Sequence, residues 1–321
     1  MVPQGSWYVV LESKEVRPGK PLAARRFGLD MVMWRDEHGA VRAVADRCPH
    51  RGAALSAGKV RDGHIECPFH GFRFDGEGTC VEVPCNGPEG QRPQHLATRA
   101  FVLREEHGFV WMWWGQARDE YPPVPWFEEV RGYEYGRFTV DSQVSWMRNV
   151  ENQLDWAHLP FIHRTTIGAG FDPQVEVRAE LRDDRLVTWL ERDEHSPGQP
   201  TSPITLALPN LWLNPFWGKT MMGMIAFVPV DETSSRMYFR TYTRPVLVPG
   251  LARVVATLMN LFNRIVIRQD LRVVATQPPG PTTEIRDERL VQADLPIARF
   301  RQEIARRMAS DEPLVQLRPH G

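Results

Sequence analysis

Cys48-Pro-His50-Arg-Gly52 and, after sixteen intervening residues from His50, Cys67-Pro-Phe-His70-Gly71 decide how the first part of the chain is read. Each half offers one thiolate and one imidazole, with proline after the cysteine and glycine close behind the histidine. Two Cys and two His from paired loops can bind zinc tetrahedrally, or hold a [2Fe–2S] cluster with the cysteines on one iron and the histidines on the other. The first half, Cys-x-His, is tighter than a zinc-finger knuckle. Such loops suit the tips of two facing β-hairpins.

The residues around them are β-forming. Trp7–Leu11, Leu29–Trp34, Val41–Ala45, Phe101–Leu103 and Phe109–Trp114 are short apolar or alternating runs, separated by turn signals at Glu37-His-Gly39, Arg61-Asp-Gly63 and Asp75-Gly-Glu-Gly78. This predicts an all-β domain over residues 1–118. Tyr121-Pro-Pro-Val-Pro125 is a stiff linker at the start of a second domain, residues 119–321. There the pattern mixes strand candidates at 174–180, 185–192, 203–213, 220–228 and 235–244 with a long helix over 251–276 and a second over 294–309. The second helix opens at Asp294 as N-cap, with Pro296 in its first turn. An antiparallel meander with the long helix packed across it is the economical α+β solution.

Within that second domain, Asn149-Val-Glu-Asn152-Gln-Leu-Asp155-Trp-Ala-His158-Leu-Pro160-Phe-Ile-His163 gathers two imidazoles and polar partners. Asn152, Asp155 and His158 are spaced to share one side of a helix beginning near Met147, which Pro160 is expected to end. His158 and His163 would lie about 140° apart on a continuous helix, so the break lets His163 swing back. Two histidines and one carboxylate form the triad that keeps positions open at ferrous iron. Asp270 is the candidate carboxylate, because it falls on the expected apolar stripe of the long helix, Leu258, Phe262, Val266 and Val273 or Val274. A carboxylate on a buried face is costly unless paired or bound to metal, and Arg268 and Arg272 point elsewhere. A His-x4-His pair alone is more often two ordinary histidines; Asp155 and Asp270 shift the balance.

The composition, 42% hydrophobic and 25% charged with a net charge of -1, fits an ordinary globular protein and excludes a polyanion binder working by phosphate neutralisation. No signal-peptide pattern and no run of some twenty apolar residues is evident, so a cytoplasmic protein with no membrane or nucleic-acid partner is expected. Four cysteines are too few for a disulfide framework, and Cys80 and Cys85 are read as small apolar packing residues. Trp111, Trp113, Trp114 and the run from Asn210 to Trp217 read first as core. With Met221, Met222 and Met224 they could also wall an apolar pocket.

Cys48-x-His50 with Cys67-x2-His70 resembles the Rieske cluster motif. With Asn152-x2-Asp155-x2-His158-x4-His163 and the late Asp270, the whole chain resembles the catalytic α subunit of Rieske non-haem iron oxygenases, in particular the compact single-subunit-type monooxygenases and O-demethylases. The resemblance implies an all-β Rieske domain followed by a helix-grip (START-like) antiparallel-sheet domain. It implies a [2Fe–2S] cluster on Cys48, Cys67, His50 and His70, and a mononuclear Fe(2+) on His158, His163 and Asp270. Asp155 corresponds to the family's bridging aspartate between the iron and a neighbouring protomer's cluster, and Asn152 would stand behind the ligands. It further implies a homotrimer, an external ferredoxin or flavin-dependent reductase, O2, and a hydrophobic small-molecule substrate that is hydroxylated or oxidatively demethylated. No Gly-x-Gly-x-x-Gly fingerprint is present, so the electrons are expected from outside. The rivals are a Rieske electron carrier with a ligand-binding second domain and a pure lipid-type carrier.

Overall fold

The computed structural model describes residues 2–87, 90, 96–174, 176–191, 203–216, 220–246, 250–285 and 287–310. Arg192, at the end of one expected strand, and Trp217 lie outside them. The chain forms two compact units, Gln4–Val124 and Pro125–Ser310.

The first unit is all β: β1 (Ser6–Glu12), β2 (Leu22–Arg26), β3 (Leu29–Arg35), β4 (Val41–Ala45), β5 (Lys59–Arg61), β6 (His64–Glu66), β7 (Arg73–Phe74), β8 (Cys80–Glu82), β9 (Leu103–Glu106) and β10 (Phe109–Trp114). They make three antiparallel sheets, β1-β10-β9, β2-β3-β4 and β5-β6-β7-β8. Every residue of β10 is buried, which is why it reads as a continuous apolar run rather than an alternating one. Two expectations shift. The strand expected at Phe101 starts only at Leu103, and the Cys48 loop is not a hairpin tip, because it leads from β4 in one sheet to β5 in another. The Cys67 loop does join a hairpin, β6–β7. Val32, Trp34, Ile65, Phe72 and Phe74 pack with both cysteines in one core.

The second unit runs β11 (Glu134–Ser142), α1 (Trp146–Leu154), α2 (Leu159–Ile162), β12 (Val177–Arg182), β13 (Arg185–Leu190), β14 (Ile204–Ala207), β15 (Leu211–Phe216), β16 (Met221–Pro229), β17 (Ser235–Thr243), α3 (Leu251–Val274) and α4 (Leu295–Ala309). The strands form one antiparallel seven-stranded sheet, β11-β17-β16-β15-β14-β13-β12. The single strand expected over 203–213 is two, because the chain turns at residues 208–210. On one face of the sheet Phe138, Trp212, Ile225, Phe227, Met237 and Phe239 pack with Trp146, Met147 and Val150 of α1, Ile267 of α3 and Phe300 and Ile304 of α4. This is the α+β, sheet-gripping-helix arrangement that the sequence implies.

The long helix sits where expected but turns a different face inward. Ala252, Ala256, Asn260, Ile267, Asp270 and Val274 are buried, whereas Leu258, Phe262 and Val273 are exposed. The reason is proximity. An ideal Cβ on Gly136 of β11 would stand 2.7 Å from Thr257 N and 2.8 Å from the Ala256 carbonyl carbon, so backbone meets backbone there and only small residues fit the helix's inner face. Asn260 and Asn263 then anchor α3 to β17 by hydrogen bonds with Thr241 at 2.6 and 2.9 Å. α1 is held from the other side by the buried Glu151, which takes a bidentate pair from Arg301 of α4 at 2.8 Å on both arms.

Gly136→Ala should therefore push α3 off the sheet and lower stability by about 1–3 kcal/mol, read in urea denaturation. An unchanged midpoint would contradict the close approach.

Candidate metal centres

The loops of the first unit are built alike. Cys48 N donates to Ala53 O and Gly52 N to Cys48 O at 2.8 and 2.9 Å; Cys67 N donates to Phe72 O and Gly71 N to Cys67 O at 2.8 and 3.1 Å. Gly52 and Gly71 take matching φ values of 75° and 73°, a left-handed turn that suits glycine. The result is two equivalent loops with cysteine inside and histidine outside: Cys48 and Cys67 are buried, while His50 and His70 are exposed with ring centroids 4.7 Å apart. Phe72 stacks under His50 at 4.8 Å. Burial pushes the Cys48 thiol up to about 11, with Cys67 adding to the rise, while the backbone N–H groups of His50 and Arg51 point at its sulfur and oppose it. Those donors aimed at a buried sulfur suit an anionic sulfur held by a metal. Cys80 is buried as expected, but Cys85 is exposed, because it lies in a short surface turn rather than in the core.

In the second unit the helix ends earlier than its spacing suggests. Ser145 caps α1, accepting from Met147 N at 3.3 Å, and α1 stops at Leu154 with Asp155 as its C-cap. Pro160 does not end that helix; it sits in the first turn of α2, with His158 before that helix and His163 after it. Asn152, Asp155 and His158 therefore do not share one helix face. Trp156, whose indole N–H donates to Thr188 Oγ1 at 3.1 Å, pins the intervening turn to β13. Asp155 accepts Ala157 N at 2.7 Å and stands 3.5 Å from His158 Nδ1.

Asp270 closes the constellation. Its Oδ1 is 2.8 Å from His163 Nε2 and 3.5 Å from His158 Nε2. The ligand atoms of His158, His163 and Asp270 all lie within 4.8 Å of one another, the one such group among the described residues. Asp270 and His163 are nearly inaccessible, at 2% and 1% exposed. Asp270 Oδ1 nevertheless makes no hydrogen bond, an unsatisfied buried oxygen that a bound cation would satisfy. Burial disfavours a charged His158, yet Asp155 and Asp270 outweigh it and raise the imidazole to about 9. Burial likewise works against ionised Asp270, and the two histidines override it, leaving the carboxyl at about 2. A proton on His158 thus occupies the field of two carboxylates, where a divalent ion would neutralise more charge. This is the donor set and geometry of a two-His-one-carboxylate iron site.

The polar neighbours behind the ligands are not those the spacing suggests. Gln153, rather than Asn152, donates to Asp270 Oδ2 at 3.3 Å. Gln269 Oε1 lies 2.8 Å from His163 Nδ1. Ligands of this kind need outer hydrogen-bond partners, so the amides flanking Asp155 and Asp270 were candidates by type, but only the folded chain selects among them.

At pH 7.5, ferrous ion entering the metal-free triad should displace about one proton, because His158 held near 9 must bind as neutral imidazole. Calorimetry in buffers of different ionisation enthalpy measures this. Release of no proton, or the same release from His158→Ala, would contradict the assignment.

Both parts of the chain match known families. Residues 6–102 match the Rieske [2Fe-2S] domain family and residues 143–310 the vanillate O-demethylase oxygenase C-terminal domain family. The chain is 29% identical over 239 residues to the vanillate O-demethylase oxygenase subunit of a Pseudomonas species, covering 72% of this chain and 61% of that one. It is 31% identical over 163 residues to the chloroplastic protein TIC 55 of Arabidopsis thaliana, covering 50% of this chain and 30% of that one. The matched segments thus span 61% and 30% of these relatives' lengths, less than two thirds in both. The crystal structure of dicamba monooxygenase bound to 3,6-dichlorosalicylic acid superposes with a TM-score of 0.75 at 22% identity, covering 95% of this chain and 97% of that one, a likeness of fold. No helix among the described residues is long and apolar enough to cross a membrane. Since the oxygenase C-terminal domain alone takes up more than half of its length and a Rieske domain precedes it, the chain belongs to the Rieske non-haem iron oxygenases.

Proposed function

We propose that the protein is a terminal oxygenase that takes electrons from a separate reductase, activates O2 at a mononuclear iron, and oxidises a largely hydrophobic small molecule by hydroxylation or oxidative demethylation. The observation that carries this is the buried Asp270 facing two imidazoles in a chain that also pairs Cys48 and Cys67 with His50 and His70. The cluster belongs to the domain of residues 1–118 and the iron to that of residues 119–321.

In this reading Cys48 and Cys67 hold the inner iron of the cluster, and His50 and His70 the outer one; the exposure of both imidazoles suits the entry and exit of electrons. His158, His163 and Asp270 hold the mononuclear iron. When bound, the cluster would supply electrons one at a time and the mononuclear iron would supply the redox chemistry toward O2. What the chain itself contributes is the setting. Three ligands leave coordination positions free, and burial of His163 and Asp270 keeps water away. Gln153 ties Asp270 Oδ2, so that Oδ1 alone faces the two imidazoles. Asp155 sets a carboxylate 3.5 Å from His158 Nδ1. Likeness to a vanillate O-demethylase oxygenase subunit supports oxidative demethylation.

We further propose a ring-shaped homotrimer in which Asp155 of one protomer bridges to the cluster of the next. The outer face of α3 supports assembly, because Leu258, Leu261, Phe262 and Ile265 form exposed apolar surface of the kind that protein contacts cover. A cytoplasmic setting is supported by cysteines placed for metal binding rather than in disulfides.

The test is O2-dependent product formation by reduced protein from a panel of aromatic methyl ethers, with formaldehyde as readout. Wild type should yield formaldehyde, while Cys67→Ser and His158→Ala should each fall at least 100-fold. Mixed oligomers of the two variants should recover part of the activity, and adding Asp155→Asn to the Cys67→Ser chain should remove it again. A red, cluster-loaded protein that binds no third iron and consumes no O2 would instead be an electron carrier. Mixed oligomers with both metals in place and no rescue would exclude transfer between protomers.

A further inference from the structure

His163 lies deep in the second unit with both ring nitrogens in contact: Nε2 is 2.8 Å from Asp270 Oδ1 and Nδ1 is 2.8 Å from Gln269 Oε1. An imidazole can ligate through Nε2 only if its proton sits on Nδ1, so whatever faces Nδ1 decides whether the ring is a ligand at all. We propose that Gln269 is a positioning residue that holds this proton on Nδ1 and so presents Nε2 to the iron. The inference rests on the reading of His158, His163 and Asp270 as an iron site.

The argument starts from the loop after α2. Thr166 N and Gly168 N both donate to His163 O, at 2.8 and 3.0 Å, folding the chain back over the histidine. This fold needs glycine at 168, where a Cβ would stand 1.9 Å from Leu159 O. The return brings the Thr166 hydroxyl beside the imidazole, where Oγ1 lies 2.8 Å from Gln269 Oε1. The hydroxyl has a second acceptor within reach, His163 O, but at 3.4 Å and therefore much the weaker. Its proton goes to Gln269, which makes that amide atom the oxygen. An amide oxygen accepts and never donates, so the other group in contact with it, His163 Nδ1, must be the N–H. The reversed amide would put an N–H against Nδ1, move the ring proton to Nε2, and point it at Asp270 where the metal should sit.

The helix supplies the rest. Gln269 and Asp270 are consecutive on α3, so one segment carries both a ligand and the group that prepares another ligand. The two histidines are consequently prepared differently: His158 faces a carboxylate, Asp155, at 3.5 Å, while His163 faces a neutral amide. Asp155 adds negative charge near the iron, and Gln269 sets a tautomer without adding any.

Gln269→Leu, Gln269→Glu and Thr166→Val test this, read by anaerobic Fe(II) competition against a chelator and by the ferrous–nitrosyl paramagnetic resonance signal, with melting midpoint and cluster absorbance followed in each. Gln269→Leu should weaken Fe(II) binding about 10–100-fold with the cluster unchanged. Gln269→Glu should stay within about threefold of wild type or bind more tightly, since a carboxylate still accepts from Nδ1–H. Thr166→Val, which frees the amide to turn, should weaken binding about 2–10-fold. Wild-type affinity in Gln269→Leu overturns the proposal. So does a Gln269→Glu as weak as Gln269→Leu, because that result marks an amide N–H donor, which a carboxylate cannot replace. If Gln269→Leu does not fold, Gln269→Glu and Thr166→Val decide. Failure of wild type itself to bind a third iron would overturn the iron-site reading, and this inference with it.

Discussion

A carboxylate buried to 2% exposure with one oxygen facing two imidazoles is the constraint around which the second unit is arranged. A buried charge of this kind costs several kcal/mol unless something cationic meets it. The nearest arginines on α3, Arg268 and Arg272, are exposed, so the compensation comes from His158 and His163 and from whatever those three groups bind together. The charges on His158 and Asp270 in the metal-free chain follow from the same proximity. Such an arrangement is poor as a stabilising device and well suited to a divalent cation.

The surrounding fold serves to hold that carboxylate and those imidazoles at fixed distance. α3 is pressed onto β11 at Gly136 and tied to β17 through Asn260 and Asn263, so Asp270 is carried on a helix with little freedom to shift. α1 is fixed by Glu151 to Arg301, and the turn beyond it by Trp156 to Thr188. Asp270 and the two histidines therefore come from two segments anchored independently, and each ligand has its own neighbour: Gln153, Asp155 or Gln269. In the first unit, two loops with the same backbone hydrogen bonds bring two cysteines inside and two histidines outside.

Much of this was legible in the residues, for unequal reasons. Cysteine and histidine spacing is a local property, so the Cys48 and Cys67 loops could be read directly. Asp270 is buried on a face other than the expected one: the apolar stripe through Leu258 and Phe262 is exposed, and the buried face carries Ala252, Ala256, Asn260, Ile267 and Val274. Its small residues answer to Gly136, more than a hundred positions away in sequence, and no periodicity within the helix records that contact. The helix breaks before His158 rather than at Pro160, because proline fits the first turn of a helix as well as the end of one. Gln153 and Gln269 could not be told from Asn152 by type, since the choice depends on how α1 and α3 face each other.

Two separate ligand sets, one in each unit, call for two separate iron sites in one chain. Mössbauer spectroscopy of protein loaded with enriched iron measures both at once. A spin-coupled pair and a high-spin ferrous component in a ratio of about two to one is the predicted result, with only the ferrous component lost in Asp270→Ala. A ferrous component that persists undiminished in Asp270→Ala, or a spectrum containing the pair alone in wild type, would contradict it.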